Sequence, residues 1–223
     1  MPPIKQSTRL GILGGTFNPI HLGHLRGADE AREALHLDGV CFVPVAIPPH
    51  KSERIEVPAN HRLEFVRLAI ENNPAFSISD VELQREGKSY SVETVRHFRR
   101  QNPTADLFFI VGLDSFLEIT TWKRYKELFS LCHFVALSRP GLSRPQLTDL
   151  TPREFWETFR PGENADHWVH GPSGHSTYFL NRPFMDISSS EIRDRIRRGI
   201  SVRYMMPERV EAYVLERQFY IGS

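Results

Sequence analysis

The chain has 223 residues, 28 Lys and Arg against 27 Asp and Glu, and a hydrophobic fraction of 40%. A formal net charge of +1 excludes the basic excess of a general nucleic-acid or membrane-surface binder, so affinity for an anion must come from local clustering. Length and composition fit one domain over 1–223, with a longer variable segment at about 141–175.

Met1–Arg9 lacks the apolar core of a secretion signal, and no apolar run reaches membrane-spanning length, which predicts a cytoplasmic protein. Leu10–Leu13 is a short apolar run, the pattern of a buried strand. Gly14-Gly15-Thr16 follows as a turn where the backbone can approach a ligand. Asn18-Pro19 punctuates the chain, and a helical pattern begins near His21 and runs to about His36. Strand, glycine turn and helix N-terminus together make an anion trap, since free N–H groups and the helix dipole both favour a phosphate. His21 and His24, three apart, share a face of the first turn, while Leu25, Ala28, Ala31 and Leu35 face the sheet. Two imidazoles beside such a turn suit donation to phosphoryl oxygens.

Gly39–Val45 reads as a second buried strand running into Ala46-Ile-Pro-Pro-His-Lys51, where Pro48 and Pro49 forbid helix. His50 and Lys51 stand on that loop, either as solvated residues or as phosphate ligands. A helix over 60–72 and a strand at Phe76–Ser79 follow. Glu86–Thr94 is a small-residue loop leading into a helix that runs to about Gln101; its serines cap the helix, bind an anion, or do both. Asp106–Val111 is nearly all apolar and predicts a central strand. It ends at Gly112-Leu-Asp114, where Asp114 either accepts from a ligand hydroxyl or caps the next helix. Trp122 is open to core and ligand-stacking roles alike.

His133–Ser138 is a further strand, ending at Arg139, which is placed to grip a phosphate. Cys41 and Cys132 lie in apolar runs and read as buried thiols. Within 141–175, Thr151-Pro-Arg-Glu154 predicts a helix to Phe159 capped by Thr151, and Trp156 and Trp168 indicate packing against something. His167, His170 and His175 lack the cysteine or carboxylate pattern that completes a metal set. Tyr178–Leu180 resumes the sheet. Ile187-Ser-Ser-Ser-Glu-Ile-Arg193 then combines a capping box with hydroxyls and a guanidinium at one helix end, a second polyphosphate cradle, and Gly199 stops that helix. Met206–Leu215 closes the chain as an amphipathic helix. Alternating strands and helices predict a doubly wound, mostly parallel, Rossmann-like α/β sheet.

Two strings carry a resemblance. Gly14-Gly15-Thr16-Phe17-Asn18-Pro19-Ile20-His21-Leu22-Gly23-His24 resembles the H-x-G-H signature of the nucleotidylyltransferase superfamily, and Ile187–Arg193 resembles its I-S-S-T-x-I-R string, with Ser190 for Thr. The likeness is closest to bacterial nicotinate-mononucleotide adenylyltransferases, many of which carry Asp where this chain has Asn18. It implies transfer of AMP from ATP to nicotinate mononucleotide, with Mg²⁺ carried on the ATP phosphates and no protein metal cage. It implies ATP contacts at Gly14, Gly15, Thr16, Phe17, His21, His24, Lys51, Gly112, Asp114, Ile187, Ser188, Ser189 and Arg193. Mononucleotide contacts fall on His50, Lys51, Thr94, Trp122 and Arg139, with the Trp122 ring stacked on the pyridine. His24, His21 and Arg193 are the implied catalytic groups. The same scaffold serves nicotinamide mononucleotide or phosphopantetheine as acceptor, and a binding module without turnover is the alternative from another class. Small molecules are thus the expected partners, and a homo-oligomer stays open.

Overall fold

The computed structural model describes residues 8–49, 56–138, 141, 143–181 and 185–221. Its apolar runs become strands and its periodic segments become helices. β1 (Arg9–Gly15), α1 (Leu22–Ala34), β2 (Gly39–Pro44), α2 (Ala59–Ile70), β3 (Phe76–Ile78), α3 (Ser91–Gln101) and β4 (Asp106–Gly112) alternate as expected. Then come α4 (Leu113–Leu117), α5 (Tyr125–Leu131), β5 (His133–Leu137), α6 (Arg153–Trp156), β6 (Phe159–Pro161), β7 (His167–His170), β8 (Ser176–Leu180), α7 (Ser189–Arg197) and α8 (Glu208–Glu216). No helix among the described residues is long and apolar enough to cross a membrane.

All eight strands form one sheet, ordered β3-β2-β1-β4-β5-β8-β7-β6. The first six pair in parallel, and β8-β7-β6 continue antiparallel. Successive residues of the central strands feed opposite faces, as the two-residue period requires. Ile12, Leu107 and Phe109 join one core, while Leu13, Phe108 and Ile110 join the other. Helices α1, α2, α7 and α8 cover the second face through Ala28, Phe65, Val66, Ile192 and Val210. Helices α3, α4, α5 and α6 cover the first through Val95, Phe116, Phe129 and Trp156. Two-sided burial explains why these strands read as unbroken apolar runs.

The segment 141–175 differs from its expectation in one respect. The helix spans only Arg153–Trp156, Pro152 is its N-cap residue, and Thr151 supplies no side-chain cap. Instead the Thr151 carbonyl accepts from Trp156 Nε1 at 3.3 Å, and Phe159 pairs with His170 in the sheet. Tertiary burial of the aromatics overrides the local capping signal. Trp156 and Trp168 are 2% and 4% exposed, so the packing inferred from them is real. Both cysteines are free and buried, and burial pushes the Cys41 thiol up to about 11 and the Cys132 thiol up to about 12.

Candidate active site

The strand order reverses between β1 and β4, and open α/β sheets bind ligands outside the C-terminal ends of such a pair. A cavity of about 540 Å³ opens there. Gly14, Gly15, Thr16 and Phe17 form one wall with His21 and His24, and Gly112 and Trp122 stand at the other. The strand C-terminus, the turn and the helix N-terminus thus converge on one space, as the first motif predicts.

Local packing explains the turn's residue types. A Cβ on Gly15 would come within 2.8 Å of the Phe17 ring, which is 1% exposed and has φ 48°. Bending the chain under itself in this way leaves no room for a side chain. Gly23 has a parallel cause: its Cβ would lie 3.0 Å from His21 Nδ1. The glycine of H-x-G-H therefore keeps the first imidazole seated.

His21 is the N-cap of α1 and His24 its third residue. Their ring centroids lie 3.7 Å apart, and His24 stands edge-on to Phe17. His24 Nδ1 accepts from the His21 backbone N–H at 3.3 Å. An accepting Nδ1 leaves the neutral ring's proton on Nε2, the donor that a phosphoryl oxygen requires.

The second motif braces the first. Ser189 Oγ donates to the Pro19 carbonyl at 2.8 Å, and Arg193 Nη1 donates to the Asn18 carbonyl at 2.9 Å. Tyr220, near the far end of the chain, donates its hydroxyl to Asn18 Oδ1 at 2.6 Å. Of the three serines at 188–190 only Ser189 lines the cavity; Ser188 is the N-cap of α7, accepting from Glu191 N at 3.1 Å. Ile187 and Arg193 are not on the cavity wall.

Other sequence-nominated residues fall in different places. Thr94 is 1% exposed and behind the wall, where its Oγ1 donates to Glu82 Oε1 at 2.5 Å and accepts from Arg85 at 2.6 Å. Glu82, which the sequence did not single out, is the residue of that trio on the cavity. Asp114 Oδ1 accepts from Ser115 N at 2.9 Å in the first turn of α4, and Ser115 rather than Asp114 lines the cavity. Ser89 and Ser91 do not cap α3, whose N-cap residue is Tyr90; Ser89 Oγ instead accepts from Ala46 N at 3.1 Å and Ile47 N at 3.4 Å. Trp122 lines the cavity with one edge toward Phe109, and Lys123 Nζ sits 4.1 Å from the Tyr90 ring centroid. His50, Lys51 and Arg139 lie outside the described residues.

Sequence reasoning also passed over Arg62, whose guanidinium is buried beneath the turn. The available signal was a charge at 62 on the face that carries Phe65 and Val66 into the core. Among the described residues no group of three or more His, Cys, Asp or Glu could hold a metal ion. His170 bonds Ser173 and His167 stacks on Tyr178.

A profile of the cytidylyltransferase-like family matches residues 12–195. A protein of Citrifermentans bemidjiense named probable nicotinate-nucleotide adenylyltransferase is 46% identical over 215 residues, covering 96% of this chain and 99% of the relative. One of the same name from Geotalea daltonii is 47% identical over 212 residues, with 95% and 98% covered. Among solved structures, the Plasmodium falciparum nicotinic acid mononucleotide adenylyltransferase complexed with NaAD superposes with a TM-score of 0.73 at 17% identity, over 96% of this chain and 97% of that one. The same enzyme complexed with APC gives 0.71. That likeness is one of fold, whereas the profile and the close relatives establish kinship: the chain belongs to the cytidylyltransferase-like family, among its nicotinate-nucleotide adenylyltransferases.

Proposed function

We propose that this protein transfers AMP from ATP to nicotinate mononucleotide, giving deamido-NAD and pyrophosphate for NAD biosynthesis in the cytoplasm. The observation that carries this reading is the imidazole pair at the N-terminus of α1, facing a cavity that runs from the glycine turn to Trp122. An oxygen of the mononucleotide phosphate bonds to the α-phosphorus of ATP as the bridge to the β-phosphate breaks. The nucleophile is already an anion, so no protein group need remove a proton. Catalysis is then positioning and charge stabilisation.

In this reading Gly14, Gly15, Thr16 and Phe17 seat the triphosphate, and His24 Nε2 donates to the oxygens that gain charge in the transition state. His21 holds the adjacent oxygen and the helix N-terminus. Ser189 and Lys51 receive the departing pyrophosphate, while Ser188 and Arg193, off the cavity wall, act from behind by capping α7 and fixing Asn18. Gly112 borders the nucleoside, and Asp114 acts through Ser115, whose backbone N–H donates to it. Trp122 stacks on the pyridine, with Thr94 acting through Glu82, and His50 and Arg139 complete the acceptor side. A divalent cation, Mg²⁺, would arrive on the triphosphate with most of its water, held by the phosphates themselves. When bound it neutralises phosphate charge.

Pyrophosphate release tests the proposal directly, in parallel reactions with nicotinate mononucleotide, nicotinamide mononucleotide and phosphopantetheine. We expect strong preference for the acid. Preference for the amide moves the substrate assignment, and ATP binding without turnover on any acceptor overturns the enzyme reading.

A further inference from the structure

Arg62 is among the largest fully buried side chains, at 1% exposure, on the core face of α2. A buried cation ordinarily pairs with a carboxylate. Among the described residues Arg62 has no carboxylate within ion-pair distance, and its hydrogen-bond partners there are backbone carbonyls. Nη1 donates to Thr16 O at 2.7 Å and Val45 O at 2.6 Å, Nη2 to Ala46 O at 3.1 Å, and Nε to Val57 O at 3.1 Å. Those acceptors belong to the glycine turn, the chain leaving β2 and the chain approaching α2.

The peptide geometry says what this clamp does. In a trans peptide the carbonyl and the following N–H point in opposite directions. Val45 O and Ala46 O are held by Arg62, and the N–H groups that follow them, on Ala46 and Ile47, both meet Ser89 Oγ. Ser89 lines the cavity, and Arg62 does not. The side of these peptides away from Arg62 is therefore the cavity side. The Thr16–Phe17 peptide, also trans, is held by the same guanidinium. Its N–H, on Phe17, therefore points away from Arg62, and Thr16 and Phe17 both line the cavity.

We propose that Arg62 is a positioning residue for the phosphate site: by fixing the Thr16 carbonyl it turns the Phe17 N–H toward the triphosphate, and it sets a positive charge one peptide behind that contact. A compact lysine ammonium cannot span four carbonyls from three segments, whereas the planar fork of arginine can. Glu82, beyond ion-pair distance, offsets part of this charge, and the remainder attracts an anion on the far side of the turn. This inference rests on the reading of the turn as the ATP site.

Two measurements test it. In the wild-type protein, ¹H–¹⁵N spectra recorded with and without ATP and Mg²⁺ should show the Phe17 amide proton moving downfield; an unmoved Phe17 amide overturns the proposal without any variant. For Arg62→Lys and Arg62→Met, KM should be taken separately for each substrate, beside the melting-temperature gain given by ATP. We expect KM for ATP to rise about tenfold in Arg62→Lys and more in Arg62→Met, while KM for the mononucleotide stays within about twofold. The gain from ATP should shrink in the same order. Equal rises in both KM values, or a lowered melting temperature with unchanged ATP affinity, would show a purely structural arginine and overturn the proposal. If wild-type protein binds ATP but turns over no acceptor, the assigned function fails, and the Phe17 shift and the ATP-induced gain still decide the role of Arg62.

Discussion

Two groups of histidines occupy opposite parts of the sheet and live under opposite rules. His21 and His24 lie on a helix N-terminus at the strand crossover, one ring against the other, beside a cavity. His133, His170 and His175 lie where β5, β7 and β8 meet, and burial pushes all three below the usual histidine range, His133 to about 3. The first pair is arranged around donors, with glycines that leave room for the Phe17 and His21 rings. The second group is arranged as aromatic filling: His133 stacks on Phe108 at 4.7 Å, and its Nδ1 accepts from Ser176 N. A histidine's role thus follows from what its ring is packed against.

The widest separation of the two regions should come from His24→Ala. It removes a donor at the reacting phosphate, and the loss of one such group costs about 10²–10³ in kcat. His24 lies at a partly exposed helix start, so the melting temperature should hardly move. Equal loss of both quantities would place His24 in the core instead. Trp156→Ala should do the reverse. It hollows a cluster containing Phe116, Phe129, Phe159 and Trp168, at a cost of about 3–5 kcal/mol. That lowers the melting temperature by roughly 10 °C at about 2–4 °C per kcal/mol. Well below the transition, kcat/KM should stay within about twofold, because distant sites act independently. A large activity loss in the folded variant would tie the antiparallel extension to the site.

The same contrast explains how far the sequence could be read. β1, the turn and α1 are contiguous, so their chemistry is written in sixteen successive residues from Leu10 to Leu25 and is legible there. The two-sided burial of β4 is equally plain in Asp106–Val111. What stays hidden depends on pairs remote in the chain. Arg62 reaches a carbonyl 46 residues earlier, and Tyr220 reaches an amide 202 residues earlier. The resemblance makes Thr94 a ligand of the mononucleotide, yet its hydroxyl donates to a buried glutamate 12 residues away. β6 and β7, of three and four residues, are too short to show any period. Their sheet contacts come from aromatic burial, which leaves composition but no pattern.

Acid should weaken the second region first. His133 is neutral in the folded protein down to pH about 3, and its unfolded value is near 6.5. Between those limits the unfolded chain binds the extra proton, so stability is full above pH 6.5 and declines as pH falls through the window. At one pH unit below 6.5 this histidine alone contributes a loss of about 1.4 kcal/mol. His133→Asn retains an acceptor for Ser176 N and should flatten that decline between about pH 7 and about pH 5.5. An unchanged slope would move the titration to other groups.

The smallest effect concerns Asn18, where many relatives of the resembled type carry Asp. Its Oδ1 accepts from Tyr220, which is 4% exposed, and its carbonyl accepts from Arg193. Burial raises the Tyr220 phenol, so it remains a donor throughout the neutral range. A carboxylate at position 18 would accept the same bond, more strongly for its charge. This side chain therefore serves to anchor the turn to the end of the chain, a task that either residue performs. Tyr220→Phe should cost about 1 kcal/mol, the net worth of one buried neutral hydrogen bond. Asn18→Asp should keep kcat within a few-fold. Combining the two changes measures their coupling: if the bond is what links them, the loss from Tyr220→Phe grows when Asn18→Asp is also present, since a buried carboxylate then lacks its donor. Purely additive losses would mean that the Tyr220 bond does not anchor the turn and that Arg193, Ser189 and Arg62 hold it.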